Sequence, residues 1–207
     1  MRKGFFITLE GPEGSGKSTQ MRWLARRLRT AGRRVVVLRD PGSTALGRAL
    51  RRVLLHSEAE LSPLAEALLF IGGRVALVDE RIRPALAKGS VVLCDRFHDA
   101  TVVYQGYAGR LDVAWLDAAG RAAIRGCLPH LTILLDVPPS VGFARLHRSH
   151  DRMERKARVY HRRVRRGYVR WAARNAKRIK VVDATQSAER VRGEVERVVL
   201  AKLQGHR

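Results

Sequence analysis

Eight residues near the start of the chain, Gly11-Pro12-Glu13-Gly14-Ser15-Gly16-Lys17-Ser18, fit the spacing G-x-x-x-x-G-K-[ST] at every specified position. Glycines let a backbone turn tightly and aim its N–H groups at phosphate oxygens, the lysine reaches the β and γ phosphates, and the hydroxyl ligates Mg²⁺. Residues Gly11, Pro12, Glu13, Gly14, Ser15, Gly16, Lys17, Ser18 and the following Thr19 are therefore expected to hold a nucleoside triphosphate. Lys17 is expected as an exposed loop lysine with phosphate contacts and none to a core. A second pair, Asp95-Arg96, follows the apolar run Val91-Val92-Leu93-Cys94. An acid at such a strand end organises Mg²⁺, and a guanidinium offers a planar fork to a second phosphate group. Lys17, Asp95 and Arg96 are the catalytic candidates, and Ser18 and Asp95 the metal ligands, of a phosphoryl transfer.

These groups need a scaffold that delivers loops to one edge of a sheet. Apolar runs of strand length recur between helical segments at Phe5 to Leu9, Arg34 to Leu38, Val91 to Cys94, Leu131 to Leu135 and Ile179 to Val182. Each is continuous rather than alternating, as expected of parallel strands covered by helices on both faces. The pattern predicts a three-layer α/β fold around a five-stranded parallel sheet. Four runs end in or just before an acid, Glu10, Asp95, Asp136 or Asp183, and ligands of open α/β sheets collect at those carboxyl ends. Helices are expected over Met21 to Leu28, Leu61 to Leu86, Leu111 to Cys127 and Val191 to Leu203. Met153, Ala157, Tyr160, Val164, Tyr168 and Trp171 recur at steps of four and three, which predicts one face of a single helix.

A length of 207 residues and a hydrophobic content of 45% suit a single domain over 1–207. The apolar runs are far shorter than the roughly 20 residues of a membrane span, and no signal-peptide core follows Arg2-Lys3. A soluble cytoplasmic protein is expected. Cys94 and Cys127 lack zinc spacing and fit inert thiols in a reducing compartment. The net charge of +22 is concentrated: Arg145 to Lys180 carries fifteen Lys and Arg against Asp151 and Glu154. Such density suits nucleotide phosphates or non-specific contact with nucleic acid, or else a solvated helical face.

From here the residues carry a family resemblance. Asp95-Arg96-Phe97-His98-Asp99-Ala100-Thr101-Val102-Val103-Tyr104-Gln105-Gly106 resembles the D-R-[YH]-x-x-[ST]-x-x-A-Y-Q-G segment of bacterial thymidylate kinases. Arg39-Asp40-Pro41-Gly42-Ser43-Thr44 is similar to the family's R-E-P-G-G-T. Leu69-Phe70 with Arg74, then Arg83-Pro84-Ala85-Leu86, is similar to its L-F-x-x-x-R and I-x-P-A-L. Leu134-Leu135-Asp136-Val137, Asp151-Arg152-Met153-Glu154, Arg165-Gly167-Tyr168 and Val182-Asp183-Ala184 follow in the family's order, so the likeness covers nearly the whole chain.

The resemblance implies transfer of the γ-phosphate of ATP to dTMP, with Mg²⁺, in a P-loop kinase that forms a homodimer. It implies that Phe70 stacks on the thymine ring, that Arg74 and Gln105 bond its edge with Thr101 nearby, and that Tyr104 lies under the sugar. Arg96 and Arg51 would hold the acceptor phosphate, with Asp40 and Pro41 beside it. No general base is needed, because the attacking oxygen belongs to an ionised phosphate monoester. A mobile lid, here at about 145–156, would supply a catalytic arginine where the phosphate loop has none, and Arg148 and Arg152 lie in it. The chain departs from the pattern at Asp40, Ser43, Ala100, Val103 and Gly72-Gly73. These departures leave two alternatives: a deoxynucleoside monophosphate kinase of shifted base preference, and a degenerate member that binds nucleic acid through its basic helix.

Overall fold

Valine, isoleucine, leucine and phenylalanine fill all five apolar runs, and each becomes a strand of one parallel sheet. A computed structural model describes residues 3–56, 60–146 and 151–205. The strands are β1 (Phe5–Glu10), β2 (Val35–Arg39), β3 (Val91–Asp95), β4 (Leu131–Asp136) and β5 (Ile179–Asp183), in the spatial order β2-β3-β1-β4-β5. Phe5 of β1 is in register with Val91 of β3, and Ile7 with Leu131 of β4. β1 thus lies at the centre, where the strand order reverses and a crevice opens past the carboxyl ends.

Both faces of the sheet are covered, which is why the strands are apolar on both sides. Phe5, Ile7 and Leu9 turn to one face and pack with Met21, Leu24 and Leu28 of α1 (Lys17–Thr30) and Val195 and Val199 of the last helix, Ala188–Gln204. Phe6, on the opposite face, meets Val92, Cys94, Phe97 and Ile82. Leu134 on that face packs with Val164, Tyr168 and Trp171 from the helix Arg158–Arg174. Cys94 and Cys127 are free and buried. Among the described residues no helix is long and apolar enough to cross a membrane.

Two expected helices are built differently. The pattern from Leu61 to Leu86 divides into Pro63–Leu77, a wide π-helical stretch Val78–Ile82 and Arg83–Ala87; Ser62 caps its start by accepting from the Ala65 N–H at 3.2 Å. The face predicted from Met153 starts late, because Ala157 caps the helix Arg158–Arg174 with an extended backbone (φ −57°, ψ 149°). Met153 is nevertheless buried in the same cluster, so its spacing reported burial without helix.

Candidate active site

The phosphate loop turns on three glycines with positive φ, Gly11 (144°), Gly14 (67°) and Gly16 (86°), the last capping α1. At Gly11 and Gly14 space is also short: a Cβ on Gly11 would lie 2.4 Å from the Leu135 carbonyl oxygen. Lys17 is not exposed as the sequence suggested; it is 9% accessible. Its ammonium donates to the carbonyls of Gly11 (3.0 Å) and Pro12 (2.8 Å) and to Ser15 Oγ (3.2 Å). Burial, aided by the nearby Arg96 charge, pulls its pKa down to about 8.

A cleft of about 600 Å³ runs from this loop past the ends of β2 and β3. Glu13 to Thr19 line it, as do Arg39, Asp40, Pro41, Arg51, Phe70, Arg74, Asp95, Arg96, Thr101, Tyr104 and Gln105. Every substrate-binding residue expected from the sequence therefore faces one cavity. Of the four acids at strand ends, however, only Asp95 lines it. Glu10 accepts from the Phe97 N–H (2.8 Å) and the Tyr168 hydroxyl (2.8 Å), Asp136 forks with Arg165, and Asp183 holds the turn at Thr185.

At the floor of the cleft Arg96 adopts φ 64°, a left-handed conformation that a non-glycine residue enters only when its surroundings fix it. Those surroundings are the Gly11 carbonyl (3.1 Å), the Tyr168 hydroxyl (3.0 Å), Glu13 Oε1 (3.2 Å) and the Tyr104 ring, 4.8 Å from the guanidinium carbon. Glu13 was expected only as a loop position. Its carboxylate also accepts from the Tyr104 hydroxyl at 2.5 Å and lies 3.4 Å from His161 Nδ1. Burial alone would raise its pKa; His161, Arg96, Lys17 and Tyr104 hold it at about 2. Nothing in the loop pattern marks this role, because position x of the motif accepts any residue.

Arg74 is 1% accessible and spans the next part of the cleft. Its Nε donates to Asp40 Oδ2 at 2.6 Å, its Nη2 to Thr101 Oγ1 at 2.8 Å, and the guanidinium lies over the Phe97 ring at 5.3 Å. Asp40, expected from the sequence beside a phosphate, lines the cleft and is the counter-ion of Arg74, which it reaches despite a side chain one methylene shorter than glutamate. Ser43, the other departure in that loop, accepts from the Arg39 N–H at 2.7 Å and so braces the turn. Gly73 also has a local reason: a Cβ there would stand 3.0 Å from Leu50 Cδ1. Beside Arg74, Gln105 donates from Nε2 to Glu66 Oε2 at 2.9 Å. Arg74 Nη1 and Gln105 Oε1 are buried with no hydrogen-bond partner.

Of the two lid arginines expected from the sequence, Arg148 lies outside the described residues. Arg152 is not among the cleft-lining residues; its Nη1 stands 2.9 Å from Glu66 Oε1 and its Nε donates to the Leu54 carbonyl at 2.8 Å. Arg145 lines the cleft and donates to the Ala184 carbonyl at 2.8 Å. Asp95 Oδ1 is buried without a partner, in the same cleft as Ser18. Among the described residues no group of three or more His, Cys, Asp or Glu could cage a metal alone. One free carboxylate oxygen and one hydroxyl suit Mg²⁺, which completes its shell with substrate phosphates and water.

The thymidylate kinase family profile matches residues 9–195. The chain is 49% identical over 188 residues to the thymidylate kinase of Thermomicrobium roseum, covering 89% of each chain. It is 43% identical over 197 residues to that of Deinococcus radiodurans, covering 94% of this chain and 96% of the relative. The crystal structure of thymidylate kinase from Ehrlichia chaffeensis superposes with a TM-score of 0.79 at 31% identity, over 96% of this chain and 99% of that one. By sequence and by fold, then, this chain belongs to the thymidylate kinase family.

Proposed function

We propose that this chain transfers the γ-phosphoryl group of ATP to dTMP, giving ADP and dTDP. One observation carries the reading: a free donor, Arg74 Nη1, and a free acceptor, Gln105 Oε1, are buried in the cleft that the phosphate loop lines. Thymine presents the complement, a carbonyl acceptor at position 4 beside an N–H donor at position 3. Phe70, half-buried in the same wall, offers a flat apolar surface to the ring, and Tyr104, which lines the same cleft, is read as the residue under the sugar.

The protein's task is alignment and charge neutralisation, since the second ionisation of a phosphate monoester falls near pH 6 and its oxygen attacks without a base. Arg96 and Arg51 hold the acceptor phosphate. Lys17 leaves the Gly11 and Pro12 carbonyls for the donor phosphates, which regain its full charge. Ser18 and Asp95 would hold Mg²⁺, which would supply neutralisation of phosphate charge. A lid at about 145–156 closes over the transfer and brings in an arginine, on a single domain spanning 1–207.

Two further readings have support of their own. Leu46 and Val53 on the helix Ala45–His56 and Leu64 and Leu68 on Pro63–Leu77 remain 42–53% exposed, which supports a homodimer through these helices, checked by light scattering. Arg162, Arg166 and Arg170 are exposed on Arg158–Arg174 and support non-specific contact with nucleic acid, checked by a salt titration. ATP and dTMP are intracellular nucleotides, and we place the enzyme in the cytoplasm on that ground. The deciding experiment measures ADP release with ATP and Mg²⁺ against dTMP, dUMP, dCMP, dGMP and UMP. Turnover is expected to be highest with dTMP; a higher kcat/KM for dCMP, dGMP or UMP would overturn the substrate.

A further inference from the structure

Glu66 is an acid without an evident task. It lies in the first turn of Pro63–Leu77, is 1% accessible and is not among the residues lining the cleft. A buried carboxylate in such a place is costly unless it is paired and hydrogen-bonded. Here it has three partners from two directions. Lys156 Nζ donates to Oε1 (2.9 Å) and Oε2 (3.2 Å), Arg152 Nη1 stands 2.9 Å from Oε1, and Gln105 Nε2 donates to Oε2 at 2.9 Å.

The third contact has a consequence for recognition. A side-chain amide has a donor end and an acceptor end, and a glutamine free to turn could offer either to a base. An ionised carboxylate only accepts. Facing Glu66, Gln105 has its NH₂ engaged by the carboxylate and its Oε1 left as the unpartnered end. Lys156 and Arg152 pair with that carboxylate from the other side and fix its position. The amide orientation is therefore set from behind by a residue that the substrate does not touch.

We propose that Glu66 is the positioning residue for base choice: by fixing Gln105 with its carbonyl toward the cleft, it selects pyrimidines that carry an N3–H and a 4-carbonyl over those that carry an unprotonated N3 and a 4-amino group. The inference rests on the reading of dTMP as acceptor. Cytosine would place an acceptor against Gln105 Oε1 and a donor against Arg74 Nη1, mismatching both groups at once. Sites that hold a substrate by buried hydrogen bonds reject analogues lacking the match far more strongly than apolar pockets do. Arg152 and Lys156 have a part in this too. They come from the segment 151–156 and pair with the acid that orients the base reader, which ties base recognition to that segment's position.

The test replaces Glu66 by its neutral isostere. In Glu66→Gln, Lys156 and Arg152 claim the new side-chain carbonyl, so its NH₂ faces Gln105, which then turns its carbonyl inward and its NH₂ to the cleft. The expected result is a KM for dTMP raised about tenfold or more, kcat at saturation within about threefold, and a dTMP to dCMP ratio of kcat/KM narrowed at least tenfold. A merely structural role would lower activity toward both nucleotides together and leave the ratio alone. A folded variant with a ratio within threefold of wild type overturns the inference. Should the variant fail to fold, NMR of wild-type protein with dTMP bound decides: NOEs from the Gln105 NH₂ protons to the Glu66 methylenes support it, and NOEs from those protons to the nucleotide overturn it. If wild-type protein does not use dTMP at all, the substrate reading falls and takes this inference with it. An unchanged ratio in an enzyme that does use dTMP removes this inference alone.

Discussion

Gly14 and Gly142 meet backbone to backbone: a Cβ on Gly14 would stand 1.8 Å from the Gly142 carbonyl oxygen, and a Cβ on Gly142 would stand 2.2 Å from that of Glu13. The short helix Pro139–Ala144 is thus the outer wall of the phosphate loop. Helix propensity alone says that Gly142→Ala should stabilise by about 1 kcal/mol. The contact says the reverse, since overpacking of this kind costs about 1–3 kcal/mol and the strain falls on the loop that holds ATP. Gly142→Ala is expected to lower Tm and raise the KM for ATP several-fold, while Ser140→Ala, exposed on the same helix, changes neither. A melting temperature equal to wild type with unaltered ATP kinetics would refute the contact's importance.

Lys17 supplies a second prediction. With its pKa near 8 in the nucleotide-free protein, it is only partly charged at pH 8. Triphosphate oxygens restore the charged form, so binding should take up roughly half a proton at pH 8 and almost none at pH 6.5. Calorimetric titrations of ATP in two buffers of different ionisation enthalpy read this uptake directly. Lys17→Met should bind without it, and Lys17→Ala should lose ~10²-fold or more in turnover. Uptake that persists in Lys17→Met would assign the proton to another group.

The elements were legible where one periodicity met no competitor. All five strands lie within about a residue of the apolar runs, because a strand buried on both faces needs nothing but apolar residues. Residues Ala45–His56 form a helix whose exposed arginines and apolar positions the strand-and-gap pattern did not single out. The site was legible as a set of residue types and not as a set of partners. Phe70, Arg74, Thr101 and Gln105 come from two separated helical segments and converge in one cleft, as the motifs implied. That Asp40 would pair with Arg74, Glu13 with Arg96 and Tyr104, and Glu66 with Gln105 depends on approaches across 34, 83, 91 and 39 positions of chain. Only the tertiary structure sets those distances.

Glu10 makes stability depend on pH. Burial, with the Asp99 charge beside it, raises its pKa to about 7 from an ordinary 4.5. A folded-state pKa above the unfolded one means that the folded protein keeps a proton the unfolded chain releases. The associated stability is complete below about pH 4.5, declines as pH rises toward about 7 and is then lost, a change on the order of 3 kcal/mol. Glu13 and Asp99, both held at about 2, act in the opposite sense, and their stabilisation is lost only as pH falls below the ordinary carboxylate range. Asp40, whose pKa burial also raises, acts in the same sense as Glu10, and the Glu10 share is read from its own variant. Glu10→Gln keeps an acceptor for the Phe97 N–H and should shrink the fall in Tm between pH 5 and pH 8. Parallel pH profiles for wild type and variant would show that Glu10 is not the titrating group.

The two arginines proposed for a lid can be separated by which kinetic constant they move. A guanidinium that neutralises charge developing only during transfer lowers kcat and leaves KM nearly unchanged, whereas one that supports a binding group does the opposite. Arg152 belongs to the second kind on its contacts: it holds Glu66 at 2.9 Å and the Leu54 carbonyl at 2.8 Å. Arg152→Ala leaves Lys156 as the remaining cation on Glu66 among the described residues and is expected to raise the KM for dTMP with kcat within a few-fold. Arg145 also has a protein partner, the Ala184 carbonyl. The phosphate loop contains no arginine; if Arg148 is the arginine that acts on the transfer, Arg148→Ala should lose ~10³-fold in kcat by analogy with arginine fingers. Steady-state kinetics of both single variants with ATP and dTMP separate the roles. A loss of kcat confined to Arg152→Ala would exchange the two assignments and require Arg152 to leave Glu66 when the lid closes.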